Sequence, residues 1–190
     1  MSRAPRKQTR ETSDQDVRPI GARALKSLID TLRPRLQNAL CLDLFAGQGR
    51  IGLAALEAGA RGICFVEKNL GRAKTLTRET EKRFAGGETR VLAQDALRYL
   101  GTAAQTYDVI FADPPFPLWN AKFERELVTG LPRVLQPNGW VVIKYPVRRE
   151  LPAIPTRLTL RRAVSFGESK LLYLTHAPSG GESPKSEHEE

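Results

Sequence analysis

The stretch ALCLDLFAGQGRIGLAALEAGARGICFVEKN, residues 39–69, decides the fold. It opens with a short, nearly all-apolar run, ALCLDLF (39–45), as expected of a strand covered on both faces. AGQGRIGLAALEAGA then turns into a helix that ends near Gly59 as its C-cap, and GICFVEKN (62–69) reads as a second strand. Strand, glycine-rich turn, helix and strand in succession make a βαβ unit with parallel strands.

The same alternation extends outward. Upstream, GARALKSLIDTLR (21–33) places Leu25, Leu28, Ile29 and Leu32 at i, i+3, i+4 and i+7, one face of a helix. Downstream, a mostly polar helix runs to about Phe84 and is broken by Gly86-Gly87. TRVLAQD (89–95) is a third strand, ALRYLG a short helix, and YDVIFADPPF (107–116) a fourth strand running into a double-proline stop. KFERELVTGLPRVL (122–135) is amphipathic, with Phe123, Leu127, Leu131 and Val134 on one side. Pro137-Asn138-Gly139 turns into the strand WVVIKYPV (140–147). RLTLRRAVSF and ESKLLYLTH, joined near Gly167-Glu168, form a hairpin. The fold class is therefore α/β: a Rossmann-like sandwich on a mostly parallel sheet, with a C-terminal antiparallel hairpin.

With 190 residues, 41% hydrophobic and 27% charged, the chain suits one domain over 18–177. Residues 1–17 and 178–190 are low in apolar content and are expected to be disordered tails, the second of them acidic. No run approaches a transmembrane span and the start lacks a secretory h-region, so a cytoplasmic location is expected. Cys41 and Cys64 sit in apolar runs and read as buried small hydrophobes in a reducing compartment. The net charge is +9; setting aside +1 in residues 1–17 and −3 in 178–190 leaves +11 on the body. Such an excess favours an anionic partner, nucleic acid first, although a generically basic soluble protein has the same composition.

Ligands of doubly wound sheets bind outside the carboxyl ends of the strands, so the residues following each strand carry the chemistry. Gly47-Gln48-Gly49-Arg50-Ile51-Gly52 is a complete GxGxxG, weak alone but here set between strand and helix. Glu67, twenty residues past Gly47, can accept both hydroxyls of an adenosine ribose. Nicotinamide dinucleotides and S-adenosylmethionine (SAM) share these features. Asp43 separates them: beside a pyrophosphate it is an unwelcome charge, whereas it suits the amino group of a methionine tail. Asp95, ending the third strand, can accept from the adenine amino group while also serving as the N-cap of the helix that begins at Ala96.

Asp113-Pro114-Pro115-Phe116 decides between chemistries. The lone pair of an exocyclic amine is delocalised, and methylating it is eased by accepting hydrogen bonds from the NH₂ group. The Asp113 carboxylate and a main-chain carbonyl of the Pro-Pro segment supply such acceptors, and the prolines hold them in place. Phe116 offers a face for an unstacked base. Two histidines, one in the tail and one at its edge, leave no Ser-His-Asp triad, and no metal-ligand spacing occurs; no metal is expected.

At this point the chain resembles a family. The D-P-P-F string is similar to the [D/N]-P-P-[F/Y/W] motif of SAM-dependent amino-group methyltransferases. D-L-F-A-G-Q-G-R-I-G-L-A-A-L-E-A-G-A (43–60) resembles the RsmD-type 16S ribosomal RNA guanine-N2 methyltransferases of bacteria. Arg18-Pro19 with Arg23 ahead of the first helix, V-E-K at the end of strand two and F-G-E-S-K-L-L-Y-L in the hairpin extend the likeness over residues 18–175. The resemblance implies a SAM-dependent methyltransferase sandwich with SAM held by Asp43, Phe45, Gly47, Gly49, Glu67, Asp95 and Ala96. It implies a catalytic segment Asp113, Pro114, Pro115 and Phe116 acting on N2 of a guanine in small-subunit rRNA. The implied partner is ribosomal RNA or the assembling small subunit, met by a monomer, with no membrane. Two departures stand out: the polar tail replaces the family's glycine- and basic-rich hairpin, and Arg-Pro continues as Ile-Gly-Ala-Arg instead of Thr-Thr-Asp-Arg.

Arg18, Arg23, Arg148 and Arg149 are the expected RNA contacts, with Arg157, Arg161 and Arg162 near the last strands as further phosphate ligands. Trp119 either lines the entrance or anchors the helix after it. The alternative acceptors for the same chemistry are another RNA site, adenine in DNA, or a protein glutamine. No separate target-recognition domain is visible, which disfavours sequence-specific DNA, and the basic body disfavours a protein. A nicotinamide reductase is opposed by Asp43 and D-P-P-F, and a non-catalytic RNA-binding module by the intact strand-end acids.

Overall fold

In a computed structural model that describes residues 20–177, burial along the strands dictates the layering. In chain order the elements are α1 (Ala22–Leu36), β1 (Leu40–Leu44), α2 (Arg50–Glu57), β2 (Gly62–Val66), α3 (Leu70–Arg83) and β3 (Glu88–Leu92). There follow α4 (Ala96–Thr102), β4 (Tyr107–Ala112), α5 (Ala121–Gly130), β5 (Leu135–Pro146), β6 (Leu158–Phe166) and β7 (Ser169–His176). Arg18, Pro19 and both expected tails lie outside the described residues.

The seven strands form one sheet in the order β3-β2-β1-β4-β5-β7-β6. β1 to β5 pair in parallel, while β7 runs antiparallel to both β5 and β6. β1 and β2 are buried at every position, as their unbroken apolar runs require when helices cover both faces. Alternate side chains serve different layers. Leu40, Leu42 and Leu44 of β1 pack with α4 and α5, while Cys41 joins Ile63, Phe65, Val109 and Phe111 beneath α1, α2 and α3. Cys41 and Cys64 are free and buried, and burial pushes the Cys41 thiol up to about 12. The order reverses at β1, whose neighbours β2 and β4 are reached by connections leading to opposite sides. That switch point is where a crevice opens.

Several boundaries differ from the sequence reading. The third strand stops at Leu92, because Gln94 N–H turns back to the carbonyls of Glu67 and Leu92. The fourth stops at Ala112, just ahead of the donor-less prolines. α5 ends at Gly130 and tightens into a 3₁₀ turn over Leu131–Arg133, since Pro132 cannot donate. Pro137-Asn138-Gly139 does not precede the fifth strand; it is an irregularity inside β5, between the Tyr107–Leu135 and Val109–Trp140 pairs. Among the described residues no helix is long and apolar enough to cross a membrane.

Gly52 closes the α2–sheet interface. A Cβ there would lie 2.3 Å from Phe65 Cε1 and 2.6 Å from Ile63 Cδ1, both fixed in the core. The helix-propensity gain of Gly52→Ala, about 1 kcal/mol, is outweighed by this overpacking. The variant is expected to lose about 1–3 kcal/mol in urea unfolding, and a neutral or stabilised variant would show that α2 can shift freely.

Candidate active site

Two-residue periodicity carries one set of side chains past the ends of the strands. Phe65, Phe111 and Val142 face the α1–α3 layer, so Glu67, Asp113 and Lys144, two residues further on, continue on that side with Asp43. Asp43, Phe45, Gly47, Arg50, Asn69 and Asp113 line one end of a cleft of about 1100 Å³ that runs on between α2 and α3.

The turn leaving β1 is held in an unusual conformation. Phe45 has φ +64°, Gly47 +57° and Gly49 +74°. For the two glycines this costs little, but for a phenylalanine it is strain on the order of 1–3 kcal/mol. The fold compensates: Ala46 N–H donates to the Val66 carbonyl at 3.0 Å, and the Phe45 ring meets the Phe123 ring edge-on at 5.8 Å. Glu67, 6% exposed, fastens the turn from below. Its Oε2 accepts from Gly47 N–H at 2.8 Å and its Oε1 from Asn69 N–H at 2.7 Å. The residue expected to meet a ribose is thus first a brace for the glycine turn, each oxygen keeping a further lone pair.

Asp43 is 1% exposed, and its Oδ2 accepts from Gly52 N–H at 3.0 Å, tying β1 to the first turn of α2. Burial pushes its carboxyl up to about 8, against the Gly52 hydrogen bond, and the charges of Asp113 and Glu67 add to the rise. Asp95 is the N-cap of α4: Oδ1 accepts from Leu97 N–H at 3.0 Å and Arg98 N–H at 3.1 Å, while Oδ2 lies 3.7 Å from Lys68 Nζ. Ala96 behind it is buried.

Asp113 follows β4 directly. Burial raises its carboxyl; the Lys144 ammonium opposes this most, helped by the Ile20 N–H and by Arg50. Lys144, 7% exposed on β5, forms an ion pair with Asp113 Oδ1 and places Nζ 5.5 Å from the centre of the Phe116 ring. Pro114 is buried and Pro115 half-buried, and Phe116 begins a 3₁₀ turn over Phe116–Leu118. Trp119 is buried, edge-on to Phe123 at 5.4 Å and Tyr145 at 4.7 Å; it anchors the loop instead of lining an entrance. Asn120 then caps α5 through Lys122 and Phe123 N–H. The D-P-P-F segment is therefore pinned at both ends.

Of the arginines, Arg148 is exposed beyond the carboxyl end of β5, on the rim that carries Asp113. Arg149 also lies there, but its guanidinium reaches Glu124 Oε2 at 3.3 Å and the Trp119 carbonyl at 3.4 Å, bracing the same loop. Arg23 is exposed in the first turn of α1. Arg157 precedes β6 at the opposite end of the sheet, and Arg161 and Arg162 lie midway along it, so these three do not border the cleft. Sequence reading missed Lys144 and Arg50. The signal for Lys144 was a single cation inside the buried run WVVIKYPV; nothing in the sequence marks Arg50 out from other exposed arginines.

The comparisons bear on the family and the fold. The family described as Conserved hypothetical protein 95 matches residues 4–175. Ribosomal RNA small subunit methyltransferase D of Escherichia coli is 29% identical over 158 residues, 80% of this chain and 76% of that one. The solved structure of yhhF from Escherichia coli, provisionally named a methyltransferase, superposes with TM-score 0.76 at 26% identity, covering 84% of this chain and 87% of that one. A hypothetical protein of Thermus thermophilus superposes with TM-score 0.68 at 29% identity, over 84% and 88%.

The raised Asp43 carboxyl has a consequence for stability. In the unfolded chain it titrates near 3.9, in the folded one at about 8. Between these values the folded protein holds a proton that the unfolded chain lacks, so this contribution falls as pH rises, by up to about 1.4 kcal/mol per pH unit, and levels off above 8. Asp43→Asn keeps an acceptor for Gly52 N–H and has nothing to ionise. Urea unfolding from pH 5 to 8.5 is expected to show the variant's advantage widening with pH; parallel curves would mean that Asp43 ionises as an ordinary carboxyl. From its sheet order, its strand-end acids and the match along nearly its whole length, the chain belongs to the Conserved hypothetical protein 95 family, the RsmD family, with a Rossmann-like methyltransferase fold.

Proposed function

We propose that this protein is a SAM-dependent RNA methyltransferase that modifies the exocyclic N2 amine of a guanine in small-subunit ribosomal RNA. The observation that carries the reading is the massing of Asp43, Glu67 and Asp113 at the switch point, where the charges of Asp113 and Glu67 raise the Asp43 carboxyl. A cation beside Asp43 favours its ionised form and a pyrophosphate opposes it, so the donor set fits SAM and does not fit a dinucleotide.

Asp43 would hold the amino group of the methionine moiety, Glu67 the ribose through its remaining lone pairs, and Asp95 the adenine amine. When bound, SAM supplies a methyl group on a positively charged sulfur that departs as a neutral thioether. The chain's own part is to prepare the nucleophile. Asp113 and the Pro114 carbonyl accept from the NH₂ hydrogens of a base lying on Phe116, which localises the nitrogen lone pair. After methyl transfer, with the thioether leaving as the neutral product, the nitrogen would give up one proton to solvent. Arg148 and Arg23, both exposed, would engage phosphates, while the pocket reads the base. Support for an rRNA substrate comes from the name carried by the Escherichia coli relative and from the +11 charge of the body.

Two experiments test this. Asp113→Ala is expected to bind SAM within a few-fold of wild type but to lose about 10²–10³-fold in turnover; turnover within a few-fold of wild type would remove Asp113 from the reaction. Nucleosides of 16S rRNA from cells lacking the gene, analysed by mass spectrometry, are expected to lack one N2-methylguanosine. An unchanged rRNA profile would redirect the search to another acceptor.

A further inference from the structure

We infer that Lys144 is a positioning residue for the methyl acceptor: it keeps Asp113 in its anionic, accepting form and fixes the carboxylate beside the Phe116 ring. The inference rests on the reading of Asp113 given above. Its basis is geometric. Lys144 comes from β5, one strand away from the D-P-P-F loop, and the β4–β5 register that pairs Ala112 with Ile143 delivers its ammonium to the next residue, Asp113. It is buried, in contact with Asp113 Oδ1, and within 5.5 Å of the Phe116 ring centre, inside cation–π range. One side chain thus touches both the acceptor and the platform assigned to the base.

The charge balance explains why such a residue is needed. Asp113 is faced by Lys144 from β5, by Arg50 from α2 and by the Ile20 amide ahead of α1, with Asp43 of β1, its own carboxyl pushed up to about 8, as the neighbouring acid and Glu67 beyond it. Burial favours the protonated acid, and Lys144 is the largest influence against it. A protonated carboxyl turns one of its oxygens into a donor and loses part of its power to accept from an amine. Without the ammonium, Asp113 would keep Arg50 and the Ile20 amide hydrogen bond against burial. Its acidity would fall toward the range in which the enzyme works.

The test compares Lys144→Met and Lys144→Arg with wild type, using full-length protein. For Lys144→Met, turnover at pH 7 is expected to fall about tenfold or more, while SAM affinity stays within about twofold, since Lys144 acts on the nucleophile and not on the donor. The acid limb of the pH–kcat profile is expected to move up by about one unit or more, so that the deficit shrinks toward pH 9. Lys144→Arg, which keeps the charge, should restore the limb. A merely structural role would lower turnover equally at every pH and would not discriminate Met from Arg by profile. The ionisation is read separately, without turnover, by NMR titration of ¹³C-labelled Asp carboxyls, with Asp113 identified through Asp113→Asn. A wild-type Asp113 titration in the Met variant overturns the inference. A displaced titration with an unmoved pH–kcat profile upholds Lys144 as the charge-keeper and instead overturns the catalytic reading of Asp113.

Discussion

Three carboxylates brought together by parallel strands are the constraint around which this molecule is arranged. β1, β2 and β4 run side by side, and each is followed or ended by an acid on the same side of the sheet: Asp43, Glu67 and Asp113. The charges of Asp113 and Glu67 raise the affinity of Asp43 for a proton, and burial raises it more. The chain copes locally. Glu67 spends its oxygens on two backbone amides, Asp43 has one amide and a carboxyl pushed up to about 8, and Asp113 has an ammonium. Each acid is stabilised differently.

Among the described residues, the influences that set the acidity of Asp43 are burial, the opposing Gly52 amide and two like charges. It is the acid best suited to receive a charge from outside. Asp113, with Lys144 beside it, is already compensated and can act as an acceptor without needing the cofactor to ionise it. Breaking such a buried pair by removing one member is costly, whereas the intact pair mainly confers a defined arrangement. The loop that bears Asp113 is correspondingly rigid: two prolines, the buried Trp119, the Asn120 cap and the Arg149 brace hold it from both ends.

Much of this was legible in the sequence. The apolar runs at 39–45 and 62–66 had to be doubly covered strands, and glycines between them had to be a turn at a helix start; the parallel sheet followed. The strand-end acids were visible as charges immediately after such runs. What stayed hidden depended on register. Lys144 meets Asp113 only because β5 lies beside β4 with Ile143 opposite Ala112, and that pairing is reached through an irregularity at Pro137–Gly139 that reads locally as a turn. The contacts of Arg149 to Glu124 and the Trp119 carbonyl were hidden likewise, because these partners are 25 and 30 residues away. Arg157, Arg161 and Arg162 are near Arg148 in sequence, but the strand direction of β6 carries them away from the carboxyl rim. Pro132 and the double proline moved element ends by a few residues without changing the order of the strands.

The central claim is that the cleft is built to receive a cation next to a buried, largely protonated Asp43. Calorimetric titration of the wild-type protein with SAM at pH 7, in buffers of differing ionisation enthalpy, addresses it directly. Binding should ionise Asp43, so the account predicts release of close to one proton per SAM bound, and no measurable heat with NAD(H). SAM binding with no proton released, or binding of NAD(H) in its place, would contradict it.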